Sequence, residues 1–181
     1  FLALIRGKTQ TGRDHVFKEY NENAGASRDP MRAVQTKRYL YIFNPWSNSE
    51  RVFATATTGT VTYRRLVALS KQDKRLAKRL DLYKHRVPEE LYDVANDPDC
   101  LHNLIAEPGH QAALPSLRLE LEGWMKRTKD PMLAVFQKRN DAAYREAYVQ
   151  KEEEEALERR KQRRGKNQRS KRAPAKQAAR L

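Results

Sequence analysis

Short stretches in the first third of the chain alternate hydrophobic and polar residues with a period of two, which predicts β-strands. The segment HVFKEY (15–20) fits one strand, and MRAVQTKRYLYIFN (31–44) fits a β-hairpin with Lys37 and Arg38 at its tight turn. Residues 21–30 between them are rich in Asn, Gly, Ser and Asp, so they are predicted to form a loop. This part of the chain should therefore contribute three antiparallel strands.

A second periodicity follows, with apolar residues three and four positions apart, and it predicts helices. The segment SKQD (70–73) resembles a capping box, so Ser70 is predicted to be the N-cap of a second short helix. The apolar residues of these two helices are Tyr63, Leu66, Leu69, Leu76 and Leu80.

The chain returns to a strand at ELYDV (90–94), which places Leu91 and Tyr92 on opposite faces of the sheet. A helix with the strongest periodicity in the chain comes next, and Pro115 should lie in its first turn because proline lacks a backbone N–H. A last helix is predicted to run from residue 136 towards residue 160. The core residues of the strongly periodic helix are Leu114, Leu117, Leu121, Trp124 and Met125.

This order of elements predicts an α+β fold in which a small antiparallel sheet is backed by helices. A chain of 181 residues with 39% hydrophobic residues can form one modest domain, or one domain and a tail. No apolar run approaches the roughly 18–20 residues that a membrane span needs. The first residues, FLALIRGK, lack an initiator Met and the features of a signal peptide, so we expect the sequence to be a fragment.

Positive charge is concentrated near the end of the chain. The formal net charge is +14, and residues 151–181 contribute half of it, with twelve Lys/Arg against five Glu. Residues 165–181 contain few large apolar groups and are predicted to be a disordered basic tail. The expected organisation is a domain over 1–135, a charged helical extension over 136–164 and this tail.

The basic tail suggests a polyanion- or nucleic-acid-binding module as one function, because clustered Lys and Arg attract polyanions by releasing counterions. The tail lacks the interleaved aromatic residues that base stacking needs. A solvated helix end is the plainer interpretation, since Glu155 and Arg159 form a helix-supporting i,i+4 pair.

Catalytic and metal-binding motifs are absent from the sequence. Neither a phosphate-binding glycine loop nor a nucleophile elbow occurs, and the four histidines and Cys100 lack the spacing of a zinc site. The segment NDPDCLHN (96–103) does not have the spacing of a calcium-binding EF-hand loop. It fits a turn in which Asn96 and Asp97 cap backbone N–H groups. We therefore assign no catalytic residue and no metal ligand within this chain.

Several motifs, in the same order along the chain, resemble the C-terminal region of formylglycine-dependent sulfatases. PEELYDVANDPDCLHNL (88–104) resembles the family's L-Y-D-L strand, acidic D-P turn and N-L pair. The resemblance covers roughly residues 1–135, and residues 44–88 look most similar to the heparan N-sulfatase (sulfoglucosamine sulfohydrolase) branch. The other segments that resemble the family are FLALIRGK, GRDHVFKEYN, PMRAVQTKRYLYIFN and LEGWMKRTKDPM.

The resemblance implies the C-terminal subdomain of an alkaline-phosphatase-like fold, packed against a larger catalytic domain that lies outside this sequence. It implies hydrolysis of sulfate esters or sulfamates on sulfated carbohydrate, with a calcium ion and a formylglycine supplied by the parent protein. Cys100 is followed by Leu-His-Asn-Leu and does not match the C-x-[PA]-x-R formylglycine motif. The fragment alone is expected to be inactive, and the parent is expected to be exported (periplasmic, extracellular or lysosomal-like).

Two residues are candidates for contact with substrate in such a parent enzyme. The resemblance implies that the segments around Glu19 and Arg32 approach the active-site mouth. Glu19 could accept a hydrogen bond from a sugar hydroxyl or amine, or form a structural ion pair. Arg32 could bind an anionic group of the substrate, or form a salt bridge within the subdomain. A phosphodiesterase-type relative of the same superfamily is a further alternative for the parent.

Overall fold

The computed structural model describes residues 2–8, 12–22, 28–53 and 55–178, and for residues 163–178 it describes the backbone alone. Part of the predicted loop, residues 23–27, lies outside the described residues. The strands are β1 (Val16–Tyr20), β2 (Met31–Gln35), β3 (Tyr39–Phe43) and β4 (Glu89–Asp93). The helices are α1 (Leu2–Ile5), α2 (Val61–Ser70), α3 (Lys74–Lys84), α4 (Leu114–Thr128), α5 (Leu133–Gln137) and α6 (Ala142–Ala178). Two 3₁₀ turns cover Ala56–Gly59 and Pro108–Ala113.

The four strands form one antiparallel sheet in the order β1-β2-β3-β4. The α2–α3 helical hairpin is inserted between β3 and β4, and α4 to α6 follow the sheet in sequence. The predicted α+β class, with a small antiparallel sheet backed by helices, is therefore confirmed. None of the helices within the described residues is long and apolar enough to cross a membrane.

The main core lies between one face of the sheet and helices α4 and α5. Strand register aligns Phe17, Val34, Tyr41 and Leu91 in one row across all four strands, and this row faces the helices. Val34, Tyr41 and Leu91 have no solvent exposure. Leu91 and its neighbour Tyr92 are both buried, but Tyr92 belongs to a second cluster on the opposite face, as the alternation predicts.

Helix α4 supplies the largest share of helical core residues. Pro115 lies in its first turn, as predicted, and costs no hydrogen bond there. Trp124 packs against the core at its edge, where its ring stacks on Phe17 with centroids 5.3 Å apart. The fully buried residues of α4 are Leu114, Leu117, Leu121 and Met125.

An aromatic cluster joins the α2–α3 hairpin to the sheet. Phe53 stacks on buried Trp46 with centroids 5.3 Å apart and meets the edge of Tyr20 at 6.0 Å. Tyr83 of α3 lies 6.4 Å from Phe53, and its hydroxyl is 2.6 Å from the Thr55 hydroxyl. The hairpin is thus fixed to the end of β1 through Phe53.

The predicted capping box at residues 70–73 is wrong. Ser70 is the last residue of α2, and its hydroxyl donates a hydrogen bond to the Val67 carbonyl oxygen at 2.9 Å. Asp73 caps α3 instead, and its carboxylate accepts hydrogen bonds from the N–H groups of Arg75 and Leu76. A carboxylate is also favoured electrostatically at a helix N-terminus, so Asp73 starts the helix without help from Ser70.

The predicted last helix begins at the wrong place. The chain forms the short helix α5, then turns at residues 138–140 before α6 begins, and the Asp141 side chain accepts a hydrogen bond from Tyr144 N–H at 3.0 Å. The backbone of α6 stays helical through residues 165–178, where composition predicts disorder. Lys, Arg, Gln and Ala favour helical backbone. The division at residues 135 and 164 remains a prediction.

Candidate functional site

An open cleft of about 770 Å³ lies where the end of β1 and the start of β2 meet the α4–α5 connection and α6. We call it the Glu19 cleft. It contains both residues that the sequence nominated, since Glu19 and Arg32 are register partners on neighbouring strands. The residues that line it are Glu19, Tyr20, Asn21, Glu22, Arg28, Arg32, Thr128, Asp130, Pro131 and Arg159.

Arg32 forms a buried ion pair beside this cleft. Its Nε donates to Asp130 Oδ2 at 2.6 Å, and the two side chains are 2% and 3% exposed. Its Nη1 donates to the carbonyl oxygens of Tyr20 and Met31, at 3.1 and 2.9 Å. Arg32 therefore forms a subdomain salt bridge, one of its two predicted roles, and ties β1, β2 and the α4–α5 connection together.

A second ionic network closes the side of the cleft that is formed by α6. Arg28 Nη1 lies 2.6 Å from Glu152 of α6. Glu22 lies between two guanidinium groups, 3.8 Å from Arg28 and 3.5 Å from Arg159. The charges of these lining residues are consequently balanced by each other. This network also holds α6 against the loops that flank β1 and β2.

Glu19 differs from the other charged residues of the cleft. Its side chain is exposed, and within the described part of the chain it has no hydrogen bond or ion pair. A structural ion pair, one of its two predicted roles, is therefore not formed among the described residues. The carboxylate is available to accept hydrogen bonds from a bound hydroxyl or ammonium group.

Tyr20, the next residue of β1, also lines the cleft, and its side chain is partly buried. Its oxygen is inaccessible to water and has no hydrogen-bond partner among the described residues. Burial, and then the nearby Asp29 carboxylate, raise the pKa of Tyr20 above its ordinary value, so it stays neutral. The Tyr20 hydroxyl is therefore neutral and buried, so it is not presented to a ligand in the cleft.

The carboxylates of two other polar clusters, Glu90 and Glu89, accept hydrogen bonds from neighbouring side chains of the fold. Glu90 is 1% exposed and accepts hydrogen bonds from Arg86, Asn44 and Tyr92. Glu89 accepts hydrogen bonds from Tyr41 at 2.5 Å and from Arg118 at 2.8 Å. These carboxylates are already paired, so the clusters stabilise β4 and offer no free group to a ligand.

The turn after β4 is structural, as predicted for Asp97. Its Oδ2 accepts hydrogen bonds from the N–H groups of Leu101 and His102, both at 2.8 Å. Asn96 behaves differently from its prediction, because its side chain donates to Asp93 rather than capping the backbone. Cys100 has a φ of 52°, and burial followed by the Asp97 carboxylate raises the pKa of its thiol. A raised pKa makes a thiol a poorer nucleophile.

The described residues do not fit the calcium ion that the sulfatase resemblance implies. No group of three or more His, Cys, Asp or Glu side chains among them could hold a metal ion. The Asp130 carboxylate, the most enclosed acid of the cleft, is occupied by Arg32 and by the Met132 N–H. No step of the reaction is therefore assigned to a metal held by this region.

Sequence reasoning missed the cationic residues that complete the cleft. The sequence pattern predicts only a loop around Arg28, and for Arg159 only a helix-supporting pair with Glu155. The structure brings Arg159 to Glu22, 137 residues away in sequence. No local pattern carries such a contact, so only tertiary structure or compared sequences could have found it.

Comparison with known proteins shows which proteins contain a similar region. No family model matches the chain. Over 132 residues it is 33% identical to an ulvan-active sulfatase of Formosa agariphila, a match that covers 72% of this chain. The chain is similar to part of a sulfatase. A second ulvan-active sulfatase of the same organism is 32% identical over 110 residues, which cover 55% of this chain.

The chain spans only 24% and 17% of the lengths of these two sulfatases. Their partial match supports the interpretation of this chain as a C-terminal region of a larger sulfatase. A solved 2-O GAG sulfatase also matches, with a TM-score of 0.43 and 21% identity over 72% of this chain and 20% of that one.

Proposed function

We propose that this chain is the C-terminal region of a sulfatase that acts on a sulfated polysaccharide, and that the Glu19 cleft forms one wall of its substrate pocket. The observation that carries the proposal is the 33% identity to an ulvan-active sulfatase over 132 residues. The cleft adds support because Glu19, which the sequence resemblance independently implicates, lines it with a carboxylate that has no partner among the described residues.

The catalytic groups belong to the part of the protein outside this chain. Hydrolysis at sulfur needs a nucleophile and cationic groups that stabilise the developing negative charge. The formylglycine and the calcium ion would supply that chemistry in the catalytic domain. The described residues hold neither a metal-binding cluster nor a formylglycine motif, so the 181-residue chain alone is inactive in this proposal.

Glu19 is assigned to the carbohydrate rather than to the sulfate. A free carboxylate repels a sulfate group, so it should lie where the substrate presents hydroxyl or amine donors. Arg32 is assigned a positioning role, because its Nε and Nη1 are committed to Asp130 and to two carbonyl oxygens. It keeps the β1 and β2 ends in register, and this in turn fixes the backbone of Glu19.

The bond that is cleaved, O–S or N–S, separates two forms of the proposal. The relatives named above are ulvan-active sulfatases. Residues 44–88 resemble the heparan N-sulfatase branch, and this favours a sulfamate. Both forms share the same subdomain, so the choice depends on residues of the catalytic domain.

The experiment is a sulfate-release assay with the complete protein that contains this chain. Purified enzyme is incubated with ulvan, with O-sulfated and N-sulfated heparan fragments, and with a phosphodiester. The proposal expects release of inorganic sulfate from a sulfated polysaccharide, and none from the 181-residue chain alone. Phosphodiester cleavage without sulfate release would favour the phosphodiesterase-type alternative and contradict the proposal.

A further inference from the structure

The α2–α3 hairpin carries a concentrated positive charge of its own. Residues 61–86 contain nine Lys/Arg against two Asp, a net charge of +7. Residues 151–181 also have a net charge of +7, so these two segments account for the whole excess of +14. The rest of the chain therefore has no net charge. The hairpin is thus a localised basic surface rather than a sample of a generally basic protein.

Four basic residues of α3 are exposed and form no ion pair with another element of the described structure. Lys74, Lys78 and Arg79 are exposed and form no ion pair within the described residues. Arg75 is 93% exposed and lies 3.6 Å from Asp73. Elsewhere in the domain, arginine side chains that pack against the fold form ion pairs with acidic residues. Arg118 pairs with Glu89, and Arg51 pairs with Glu146.

Like charges placed four residues apart on a helix repel each other. Lys74 and Lys78 form one such pair, and Arg75 and Arg79 form another. Arg75 has Asp73 within ion-pair distance, but the Lys74–Lys78 pair has no neutralising acid among the described residues, and its repulsion destabilises the helix in isolation. A ligand with regularly spaced negative charges would remove that repulsion, because the two side chains of each pair lie only about 6 Å apart along the helix axis.

A cleft of about 680 Å³ adjoins this basic surface, and we call it the α3 cleft. It lies between α3 and the turn after β4. Three basic side chains line it on the helix side, and His102 lines it on the turn side. Leucine side chains make up the rest of the lining. The basic residues that line the cleft are Arg75, Lys78 and Arg79 of α3, and the leucines that line it are Leu76, Leu82 and Leu101.

The turn that forms the second wall is held in place. Asp97 fixes it through hydrogen bonds from Leu101 N–H and His102 N–H, and His102 Nδ1 lies 3.4 Å from the same carboxylate. The helical wall is fixed at its start by the Asp73 cap. The cleft therefore has two positioned walls, cationic groups and an apolar part, which suits a polymer with anionic substituents on apolar C–H faces.

We propose that the α3 cleft binds a segment of sulfated polysaccharide other than the sugar that is hydrolysed. This inference rests on the proposed function, which supplies a sulfated polymer as the substrate. Nucleic acid fits the cleft less well, because no aromatic residue lines it for base stacking. The nearby rings of Tyr63 and Tyr83 pack against each other with centroids 5.6 Å apart.

An anionic membrane surface is also disfavoured as the occupant. An interfacial helix needs an apolar face that can enter the lipid. The leucines of α3 are directed inward, since Leu80 is buried and Leu76 is half-buried. The exposed residues of α3 that surround the cleft are cationic, which suits a polymer that lies along the helix surface.

The test uses the complete protein and a variant in which Arg75, Lys78 and Arg79 are changed to Gln. Glutamine keeps the helix propensity and removes three charges. The matched control, Arg64→Gln/Arg65→Gln/Lys71→Gln, removes three exposed charges from the same hairpin outside the cleft. Binding to ulvan and to heparin is measured across salt concentrations, beside desulfated polymer, duplex DNA and anionic phosphatidylserine vesicles.

The cleft variant should lose about tenfold or more of its affinity for the sulfated polymer, and its plot of log affinity against log salt should become shallower. The control variant should keep most of its affinity. Turnover of a short sulfated saccharide should not change in either variant, because such a substrate does not reach the α3 cleft. The single variant Arg79→Gln should show a smaller loss in the same direction.

Equal loss in the two triple variants would show general charge attraction and overturn the inference. The inference is also overturned if the cleft variant binds the polymer as tightly as wild type, or loses only DNA or vesicle binding. Failure of the proposed function gives a different result. In that case neither the wild type nor any variant would release sulfate. A selective loss of polymer binding in the cleft variant would still support the α3 cleft as a sulfated-polymer site.

Discussion

Arg32 and Asp130 are 98 residues apart in sequence, yet Arg32 Nε donates to Asp130 Oδ2 at 2.6 Å, with both side chains almost completely buried. The second carboxylate oxygen of Asp130 accepts a hydrogen bond from Met132 N–H at 2.8 Å. This pair joins the sheet to the connection between α4 and α5. Because that connection forms part of the Glu19 cleft, the ion pair determines the shape of the cleft as well as the stability of the fold.

Changing Arg32 to Met should lower the free energy of unfolding by about 3–5 kcal/mol, because Asp130 is then left as a buried charge without a partner. The double change Arg32→Met/Asp130→Leu should recover part of that loss, because it also removes the buried carboxylate. Urea denaturation of the 181-residue chain measures both values.

Lys126→Ala is the control for this experiment. It removes an exposed partner of Glu122 on α4 and should change the free energy of unfolding by no more than about 1 kcal/mol. If Arg32→Met had no larger effect than Lys126→Ala, the assignment of Arg32 to a structural ion pair would be wrong.

Two leucines of α4 provide a direct test of the core. Leu121 is fully buried, so Leu121→Ala should lower the free energy of unfolding by about 2–5 kcal/mol. Leu119 lies on the same helix but is 69% exposed, so Leu119→Ala should change it by no more than about 0.5 kcal/mol. Chemical denaturation compares the two variants. Similar losses at both positions would contradict the described orientation of α4.

The Asp73 cap predicts a dependence of the α2–α3 hairpin on pH. Hydrogen bonds from Arg75 N–H and then Leu76 N–H lower the pKa of Asp73 below its ordinary value of 3.8. The folded hairpin therefore favours the ionised carboxylate, and its contribution to stability is present above pH 3.8 and lost as the pH falls further. The melting temperature of wild type, measured by circular dichroism as a function of pH, should therefore fall as the pH drops below 3.8.

Asp73→Asn keeps an oxygen that can cap the helix but does not titrate. This variant should lack the part of the acid-induced loss that comes from Asp73, and Asp73→Ala should melt earlier than wild type at neutral pH. If the Asn variant showed the same pH profile as wild type, the Asp73 carboxylate would not contribute to acid sensitivity.

Most of the sheet could be predicted from the sequence because its signals are local. Alternation placed all four strands, and Leu91 and Tyr92 lie on opposite faces as expected. The boundaries of the helices were less predictable. Ser70 and Asp73 are both good N-cap residues, and the choice between them depends on where α2 ends. The break before α6 depends on how Val135 and Phe136 enter the core.

The candidate site was less accessible to sequence reasoning than the fold. A resemblance to a family nominated Glu19 and Arg32, and neither periodicity nor charge did so. Their surroundings come from distant segments, since Asp130 and Arg159 reach the cleft across long stretches of chain. Ion pairs between such segments depend on tertiary packing, and a single sequence contains no local signal for them.

The most direct test is to measure the kinetics of Glu19→Gln in the complete enzyme, with Glu50→Gln as an exposed acid outside the cleft. A lost hydrogen bond between a charged group and substrate should lower kcat/KM on sulfated polysaccharide by about 10–100-fold. The melting temperature should stay constant because Glu19 is exposed and has no partner within the described residues. Unchanged kcat/KM in the Glu19 variant would contradict a role of this cleft in the substrate pocket.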